Sequence, residues 1–213
     1  MKLKWWGHAS FLITTDSAVK IITDPYNEEL PYKKIDDEAD LVTVSHDHYD
    51  HNAVDILPGE FKTIKHTGID EYNEIKVQGI VSFHDDAGGS KRGENIIYII
   101  DTGKYRICHF GDLGHNLQEE QRKKLTNIDI VLIPVGGYFT IDASQAYEIV
   151  QELKPGIIVP MHFKTDILDF PIDEVNTFLD MFEDEEIKRV NGAEIEIDGL
   201  PEKQTVYLFD YVK

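Results

Sequence analysis

His46-Asp47-His48-Tyr49-Asp50-His51 is the stretch of sequence that decides the fold. It follows the apolar run at residues 41–45, which has the length and composition of a buried strand. A strand end followed by a tight loop aims alternate side chains at one point, so we expect His46 and His48 to bind one metal ion. Asp50 and His51 point differently and suit a second ion nearby. A solvated polar loop is the simpler alternative, but clustered imidazoles gain little from water, whereas imidazole and carboxylate groups are ligands for divalent transition metals.

The six residues have the pattern H-x-H-x-D-H, and in this position after an apolar strand they resemble the signature of the metallo-β-lactamase superfamily. Three further motifs match in the family's order, around His84 (SFHD), Asp112 (FGD) and His162 (PMHF). Near the start of the chain, Trp6-Gly7-His8-Ala9 and Thr23-Asp24-Pro25 resemble the branch that includes L-ascorbate-6-phosphate lactonase-like proteins. The resemblance spans nearly the whole chain.

The resemblance implies two groups of metal ligands that share one carboxylate: His46, His48 and His84 for one ion, Asp50, His51 and His162 for the other, and Asp112 as the bridge. Each of these residues stands just after an expected strand end, so the strand pattern also predicts a site at one edge of the fold. Taken alone, His84 and His162 read as ordinary structural histidines, and Asp112 reads as a turn residue after Gly111. Their motif context favours the ligand interpretation.

A pair of divalent ions defines the chemistry that the resemblance implies. Two ions roughly 3.5–4 Å apart share a water or hydroxide and lower its pKa towards about 7. The metal-bound hydroxide is then expected to attack an ester, lactone or phosphodiester bond of a small molecule, with Asp50 orienting it or passing its proton to the leaving group. The ligand set contains no thiolate and accepts Zn²⁺, Mn²⁺ or Fe²⁺, of which we expect zinc first.

Three residues near these motifs each have two interpretations. His8 either faces the metal ions and binds substrate, as the lactonase-like branch implies, or is a hydrogen-bonded surface histidine. His115 either stabilises charge or moves a proton during catalysis, or lies exposed on a loop. Asp24 either accepts the N–H of a ligand imidazole, which is the usual way to orient such a ring, or only shapes the turn before Pro25.

The pattern of strands and helices divides the chain into two unlike halves. Residues 2–6, 10–15 and 18–23 read as short strands, and more strands follow in the first half. The second half alternates strands with helices, one beginning at Asp142 with a capping glutamine three residues later and another beginning at Asp173. Two packed sheets with helices on their outer faces account for this pattern, although propensity alone allows other α/β arrangements. The resemblance selects a four-layer αββα sandwich of two mixed β-sheets.

Length and composition set the remaining expectations. We expect residues 1–213 to form a single metallo-β-lactamase-like domain, which is large enough to bury a core. The formal net charge of 21 − 40 = −19 repels phosphate backbones and disfavours nucleic acid as a partner. Cys108 is the one cysteine, residues 1–6 lack the apolar core of a signal peptide, and no apolar run reaches the roughly 20 residues of a membrane span. We therefore expect a cytoplasmic protein with a small-molecule substrate, and the oligomeric state stays open.

The sequence leaves alternatives to a metal-dependent hydrolase. One alternative is a phosphodiesterase acting on lipid-like or nucleotide substrates, and another is a non-catalytic sensor that binds a ligand beside the metal. His48 stands where the family's di-iron flavoprotein branch carries Glu, which argues against oxygen reduction. The second ligand group has no cysteine, unlike that of many true β-lactamases. The chain ends soon after His162, without the nucleic-acid-clamping insertion of the nuclease branch.

Overall fold

Two β-sheets pack together in the computed structural model, which describes residues 1–213. The first sheet has six strands, in the spatial order β13 (Glu194–Glu196), β1 (Lys2–Gly7), β2 (Ser10–Thr14), β3 (Lys20–Thr23), β4 (Leu41–Thr43) and β5 (Lys62–Ile64). The second sheet has eight, in the order β12 (Ile187–Arg189), β14 (Thr205–Leu208), β11 (Ile157–Met161), β10 (Ile130–Pro134), β9 (Arg106–His109), β8 (Glu94–Asp101), β7 (Ile75–Phe83) and β6 (Gly68–Tyr72). Each sheet contains parallel and antiparallel neighbours, so the predicted pair of mixed sheets is confirmed.

The first sheet buries both of its faces, because successive side chains of a strand point to opposite sides. Trp5 and Ile21 belong to the large core that includes residues of both sheets. Their neighbours Trp6 and Ile22 belong to a separate apolar cluster on the opposite face of the first sheet. Burial of each such side chain contributes about 1.5–3 kcal/mol, so this outer face has to be covered by other parts of the chain.

Irregular chain, rather than a helix, covers the outer face of the first sheet. Tyr26, Leu30 and Ile35 are buried there, together with other residues of the connection between β3 and β4. Pro31 interrupts this connection, and proline has no N–H for a helical hydrogen bond. Within the predicted two-sheet sandwich, the outer face of the first sheet is thus covered by irregular chain, whereas α-helices lie with the second sheet.

Three α-helices lie with the second sheet: α1 (Glu119–Lys124) contacts β7, α2 (Ala143–Leu153) contacts β10, and α3 (Asn176–Leu179) packs on α2. Helix α2 begins as predicted, since the Asp142 carboxylate accepts from the Gln145 N–H at 2.9 Å. Helix α3 is shorter than predicted. Asp173 is held by backbone hydrogen bonds, to Gly136 at 2.7 Å and from Lys164 at 2.8 Å, and an extended backbone there cannot begin the helix. None of the helices has the length and apolarity needed to cross a bilayer.

Strand directions bring polar residues to one edge of the sandwich. In the first sheet β3 and β4 are parallel, and β1 runs the same way because β2 is antiparallel to both β1 and β3. In the second sheet β9, β10 and β11 are parallel, and β7 runs with them after two antiparallel steps. The carboxyl ends of these strands lead directly into the residues of interest: His8, Asp24, the loop at residues 46–51, His84, Asp112 and His162.

Candidate metal centre

Asp112 lies at the centre of a buried polar cluster. Its Oδ2 atom is 3.2 Å from Nε2 of both His84 and His162. The same oxygen is 3.3 Å from Nε2 of His51 and 4.0 Å from Nε2 of His46. All five residues are buried. The fold thus brings His84, Asp112 and His162 to the early histidine cluster, as the sequence predicted.

The first group of donor atoms belongs to His46, His48 and His84, whose ligand nitrogens lie within 4.8 Å of one another. Burial lowers the pKa of His46 well below its usual value, with a further contribution from the charge of His51. Burial and the neighbouring His84 also lower the pKa of His48. Rings that stay neutral keep a lone pair available, which is the state that metal binding requires.

The second group contains His51 and His162, and its third nitrogen comes from His8. Asp50 lies beside this group, with Oδ2 3.2 Å from His8 Nε2 and 3.9 Å from His51 Nε2. His8 is completely buried, so the interpretation as a surface histidine is wrong. Burial, followed by the charge of His162, lowers the pKa of His8 to about 4. A neutral His8 at pH 7 donates its Nε2–H to the Asp50 carboxylate.

A buried carboxylate orients two of these rings. His51 Nδ1 donates to Asp24 Oδ2 at 2.9 Å, and the Ser45 hydroxyl donates to the same oxygen. The Ser45 oxygen in turn accepts from His46 Nδ1 at 2.9 Å. The hydrogen bond hypothesised for Asp24 is therefore present. It engages Nδ1 of His51 directly and Nδ1 of His46 through Ser45, so that Nε2 of each ring is directed towards Asp112.

Opposite charges dominate the electrostatics of the cluster. Burial raises the pKa of Asp112, but the charges of His162 and His51 outweigh it and hold that pKa well below its usual value. Burial lowers the pKa of His51, yet Asp112, Asp24 and Asp50 outweigh burial and raise it well above the usual value. A positive charge is therefore favoured between these carboxylates.

Unpaired buried atoms show that the cluster fits a cation. Nε2 of His46, Nε2 of His51 and Oδ1 of Asp112 are buried without a hydrogen-bond partner. Each buried polar atom left without a partner costs about 1–3 kcal/mol, so three of them in one cluster are destabilising unless a cation binds them. The donor set of imidazoles and carboxylates matches Zn²⁺, Mn²⁺ or Fe²⁺.

Asn95 holds the loop that carries Asp112, and sequence reasoning missed it. Its side-chain nitrogen donates to the Phe110 carbonyl at 2.9 Å, and its side-chain oxygen accepts from the Asp112 N–H at 2.9 Å. Gly111 lies so close that a Cβ atom there would be 2.4 Å from the Asn95 oxygen and 2.5 Å from Ser45 Cβ. The available signal was a polar residue at the start of the apolar run of β8.

The side chain of His115, for which the sequence leaves two interpretations open, is hydrogen-bonded to the backbone. The Phe83 N–H donates to His115 Nε2 at 3.1 Å, and His115 Nδ1 donates to the Asn116 carbonyl at 2.8 Å. Both ring nitrogens are thus used by the backbone, and the ring does not line the cavity at the cluster. The loop interpretation fits this geometry better than the catalytic one, because neither nitrogen is free to move a proton.

A cavity of about 530 Å³ opens in front of the cluster. Five of its lining residues belong to the cluster itself: His48, Asp50, His84, Asp112 and His162. The other five form its walls: Asp47, Tyr49, Arg92, Phe139 and Phe170. A small molecule entering this cavity meets the imidazoles and carboxylates directly.

Comparison with known proteins assigns the chain to a family. The family model for the beta-lactamase superfamily domain matches residues 2–162. A UPF0173 metal-dependent hydrolase from Thermoplasma acidophilum is 29% identical over 199 residues, covering 78% of this chain and 84% of that protein. Another UPF0173 metal-dependent hydrolase, from Nanoarchaeum equitans, is 31% identical over 192 residues, covering 78% of this chain and 85% of that protein.

A solved structure extends the similarity to both ends of the chain. It is a proposed Zn-dependent hydrolase of the metallo-β-lactamase superfamily from Thermotoga maritima, with a TM-score of 0.84 and 33% sequence identity over 99% of each chain. The strands after residue 162, which the family model leaves out, are therefore part of the shared fold. The sequence match, the two mixed sheets and the buried histidine cluster all agree. This chain belongs to the metallo-β-lactamase superfamily of metal-dependent hydrolases.

Proposed function

We propose that this protein is a binuclear metal-dependent hydrolase that cleaves an ester, lactone or phosphodiester bond of a small molecule. The observation that carries the proposal is the position of Asp112 Oδ2, which lies 3.2–4.0 Å from four imidazole nitrogens that belong to two separate groups. The relatives named above are metal-dependent hydrolases, and the Thermotoga maritima protein is a proposed Zn-dependent one. Zinc is therefore our first choice of metal, with manganese or iron as alternatives.

The proposed ligands fall into two sets that share one residue: His46, His48 and His84 for the first ion, Asp50, His51 and His162 for the second, and Asp112 for both. The close approach of His8 to the second group adds a candidate donor there. Its hydrogen bond to Asp50 favours a positioning role, because the Nε2 atom that faces Asp50 carries the proton.

Bound divalent ions supply an acidified water as nucleophile and an electrophile for the carbonyl or phosphoryl oxygen. Asp50 is suited to move the proton. Burial raises the pKa of Asp50, but the hydrogen bond from His8 and the charge of His51 lower it further than burial raises it. The carboxylate is therefore ionised at neutral pH, and His8 occupies only Oδ2. Oδ1 remains free to take a proton from the nucleophile and deliver it to the leaving group.

A cysteine nucleophile does not compete with this mechanism. Cys108 is completely buried in β9, and burial raises the pKa of its thiol well above the usual value. A thiol that stays protonated and inaccessible is unreactive. The same free thiol is compatible with the reducing, cytoplasmic setting that we propose for this enzyme.

Hydrolysis by protein loaded with one defined metal at a time tests the proposal. The probes are an aryl ester, an aryl-substituted lactone and bis(4-nitrophenyl) phosphate, each assayed with Zn²⁺, Mn²⁺ or Fe²⁺ and again after chelation. We expect turnover of at least one probe that chelation abolishes and metal restores. Turnover of the phosphodiester alone would favour the phosphodiesterase alternative. Two bound ions with no turnover of any probe would contradict the hydrolase proposal and favour a ligand sensor.

A further inference from the structure

Arg92 is the one arginine or lysine that lines the cavity in front of the metal centre. Its guanidinium carbon lies 5.4 Å from the centre of the Phe139 ring. Arg106 pairs with Asp101 at 3.0 Å, whereas no carboxylate lies within 4.0 Å of the Arg92 guanidinium. Its five N–H donors are therefore available to a ligand.

Arg92 places a positive charge beside the candidate metal centre of a chain that carries 40 acidic residues and a net charge of −19. Asp47 lines the same cavity, but its carboxylate accepts from Asn52 at 2.7 Å and lies 3.9 Å from Lys65. An arginine next to a reaction centre in so acidic a protein raises the local concentration of anions at that point.

The backbone holds Arg92 in a fixed position relative to the cluster. The N–H groups of Lys91 and Arg92 donate to Asp85 Oδ2 at 2.8 and 2.7 Å. Two more N–H groups of the same loop donate to Asp85 Oδ1. Asp85 directly follows His84, so this one carboxylate ties the Arg92 backbone to a proposed metal ligand. The backbone from which the Arg92 side chain extends is therefore fixed, and the guanidinium lies against Phe139, which lowers the conformational entropy lost when a ligand binds.

An apolar wall stands next to the cation. The rings of Phe139 and Phe170 meet edge to face with their centres 6.0 Å apart, and both line the cavity. Tyr49 adds an exposed aromatic ring to the same cavity. A guanidinium over an aromatic face keeps its edge free for the two parallel hydrogen bonds that a carboxylate or phosphate accepts.

We propose that Arg92 binds an anionic oxygen group of the substrate, a carboxylate or a phosphate, that is separate from the bond being cleaved. The apolar part of the substrate then rests against Phe139 and Phe170. The substrate class is accordingly a small anionic ester or lactone with an apolar segment. This inference rests on the proposed function, because it names the substrate of the same site.

Matched esters test the inference by kinetics. 4-Nitrophenyl hemisuccinate and 4-nitrophenyl butyrate have acyl chains of equal length and differ in a terminal carboxylate. We expect the ratio of kcat/KM for the anionic ester over the neutral ester to fall about ten- to hundredfold in Arg92→Gln, mainly through KM, since charged hydrogen bonds have about that strength. Lys91→Gln is the control, because Lys91 pairs with Asp86 on the surface and does not line the cavity. An unchanged ratio in Arg92→Gln would overturn the inference.

Binding of unreactive analogues separates this inference from the proposed function. N-(4-nitrophenyl)succinamic acid and N-(4-nitrophenyl)butyramide are titrated calorimetrically into the metal-loaded protein, with phenylphosphonate as the phosphate-like anion. We expect Arg92→Gln to weaken binding of at least one anion about tenfold relative to the neutral amide, and the anion affected identifies the preferred group. Anion binding through the metal ions alone would leave Arg92→Gln equal to wild type and would overturn the inference. Because no turnover is needed, this result stands even if every hydrolysis assay fails.

Discussion

Asp24 and His51 form a hydrogen bond that is completely buried, with 2.9 Å between Oδ2 and Nδ1. The two residues follow neighbouring parallel strands, β3 and β4, so their contact depends on the register of the first sheet. Asp24 reaches the ring from a left-handed backbone conformation, with φ at +38°. A strained residue that holds a partner at a polar cluster is characteristic of functional sites.

Replacing Asp24 with Asn removes the charge that orients His51. We expect Asp24→Asn to weaken binding of the second ion about 10- to 100-fold, as the loss of such an outer partner does in other metal sites. Competition against a chromophoric chelator measures the affinity. Asp40→Asn is the control: Asp24 accepts the Ser45 N–H at 2.7 Å and Asp40 accepts the Lys20 N–H at 2.8 Å, but Asp40 lies outside the cluster. Equal affinities for wild type and Asp24→Asn would contradict the role given to this hydrogen bond.

Asp50 is expected to serve catalysis more than metal retention. Asp50→Asn keeps an oxygen donor but cannot accept a proton, so kcat should fall about 100-fold or more while two ions stay bound at saturating metal. Steady-state kinetics and metal analysis of the same sample supply both values. Asp55→Asn, at an exposed residue of the short 3₁₀ helix Val54–Ile56, should behave as wild type. Full activity in Asp50→Asn would remove Asp50 from the mechanism.

Gly111 permits the close approach of the Asp112 loop to Ser45 and Asn95. Alanine at this position has to tolerate φ of +54° and also displace neighbours at 2.4–2.5 Å. Backbone strain costs about 1–2 kcal/mol and overpacking adds about 1–3 kcal/mol. Gly103→Ala is the matched control, since its φ is +79° and nothing lies within 4 Å of the new Cβ. Urea unfolding should therefore show a larger loss of stability for Gly111→Ala than for Gly103→Ala, and equal losses would contradict the packing argument.

Tyr32 should make the fold sensitive to alkaline pH. Burial, partly opposed by the hydrogen bond with Thr165, raises the pKa of Tyr32 to about 12. Below pH 10 the phenol is protonated in both folded and unfolded chains, whereas above pH 10 only the unfolded chain ionises freely. The contribution of Tyr32 to the free energy of unfolding is thus fully present below pH 10. It falls by up to about 3 kcal/mol as the pH rises to 12.

The Tyr32→Phe variant measures that contribution. We expect its free energy of unfolding to fall less steeply than that of wild type between pH 10 and 12. Tyr138→Phe removes a phenol from a side chain that is 66% exposed and should retain the wild-type slope. Identical slopes for wild type and Tyr32→Phe would show that burial does not protect this group. The Tyr32 ring lies directly under Gly7, so the same contact supports the position of His8.

Local patterns were sufficient to predict much of the fold. Helix α2 and its cap at Asp142 depend on neighbouring residues, and the buried strand at Ile130–Pro134 depends on continuous apolarity. Strand β6 and the cover of the first sheet were missed, because β6 is largely exposed and the cover is irregular chain. Helix α3 was predicted too long, since a tertiary bridge between Lys164 and Glu174 overrides local helix propensity.

In the candidate site, too, residues in local motifs could be predicted, whereas residues defined by tertiary contacts could not. His46 and His48 follow from their spacing after a strand, and His84, Asp112 and His162 follow from motifs. Residues that support the site from distant parts of the chain have no local sequence motif. The contacts of Asn95 with the Asp112 loop and of Arg92 with Phe139 join residues that are remote in sequence. His115 has a suggestive position near Asp112, but the backbone uses both of its ring nitrogens.

Anomalous X-ray diffraction from metal-loaded crystals, recorded on both sides of the absorption edge, tests the central claim most directly. We predict two peaks per chain, roughly 3.5–4 Å apart, with the Asp112 carboxylate between them. One peak should lie against His46, His48 and His84, and the other against His51 and His162. A single peak at full loading, or peaks away from Asp112, would contradict the binuclear centre.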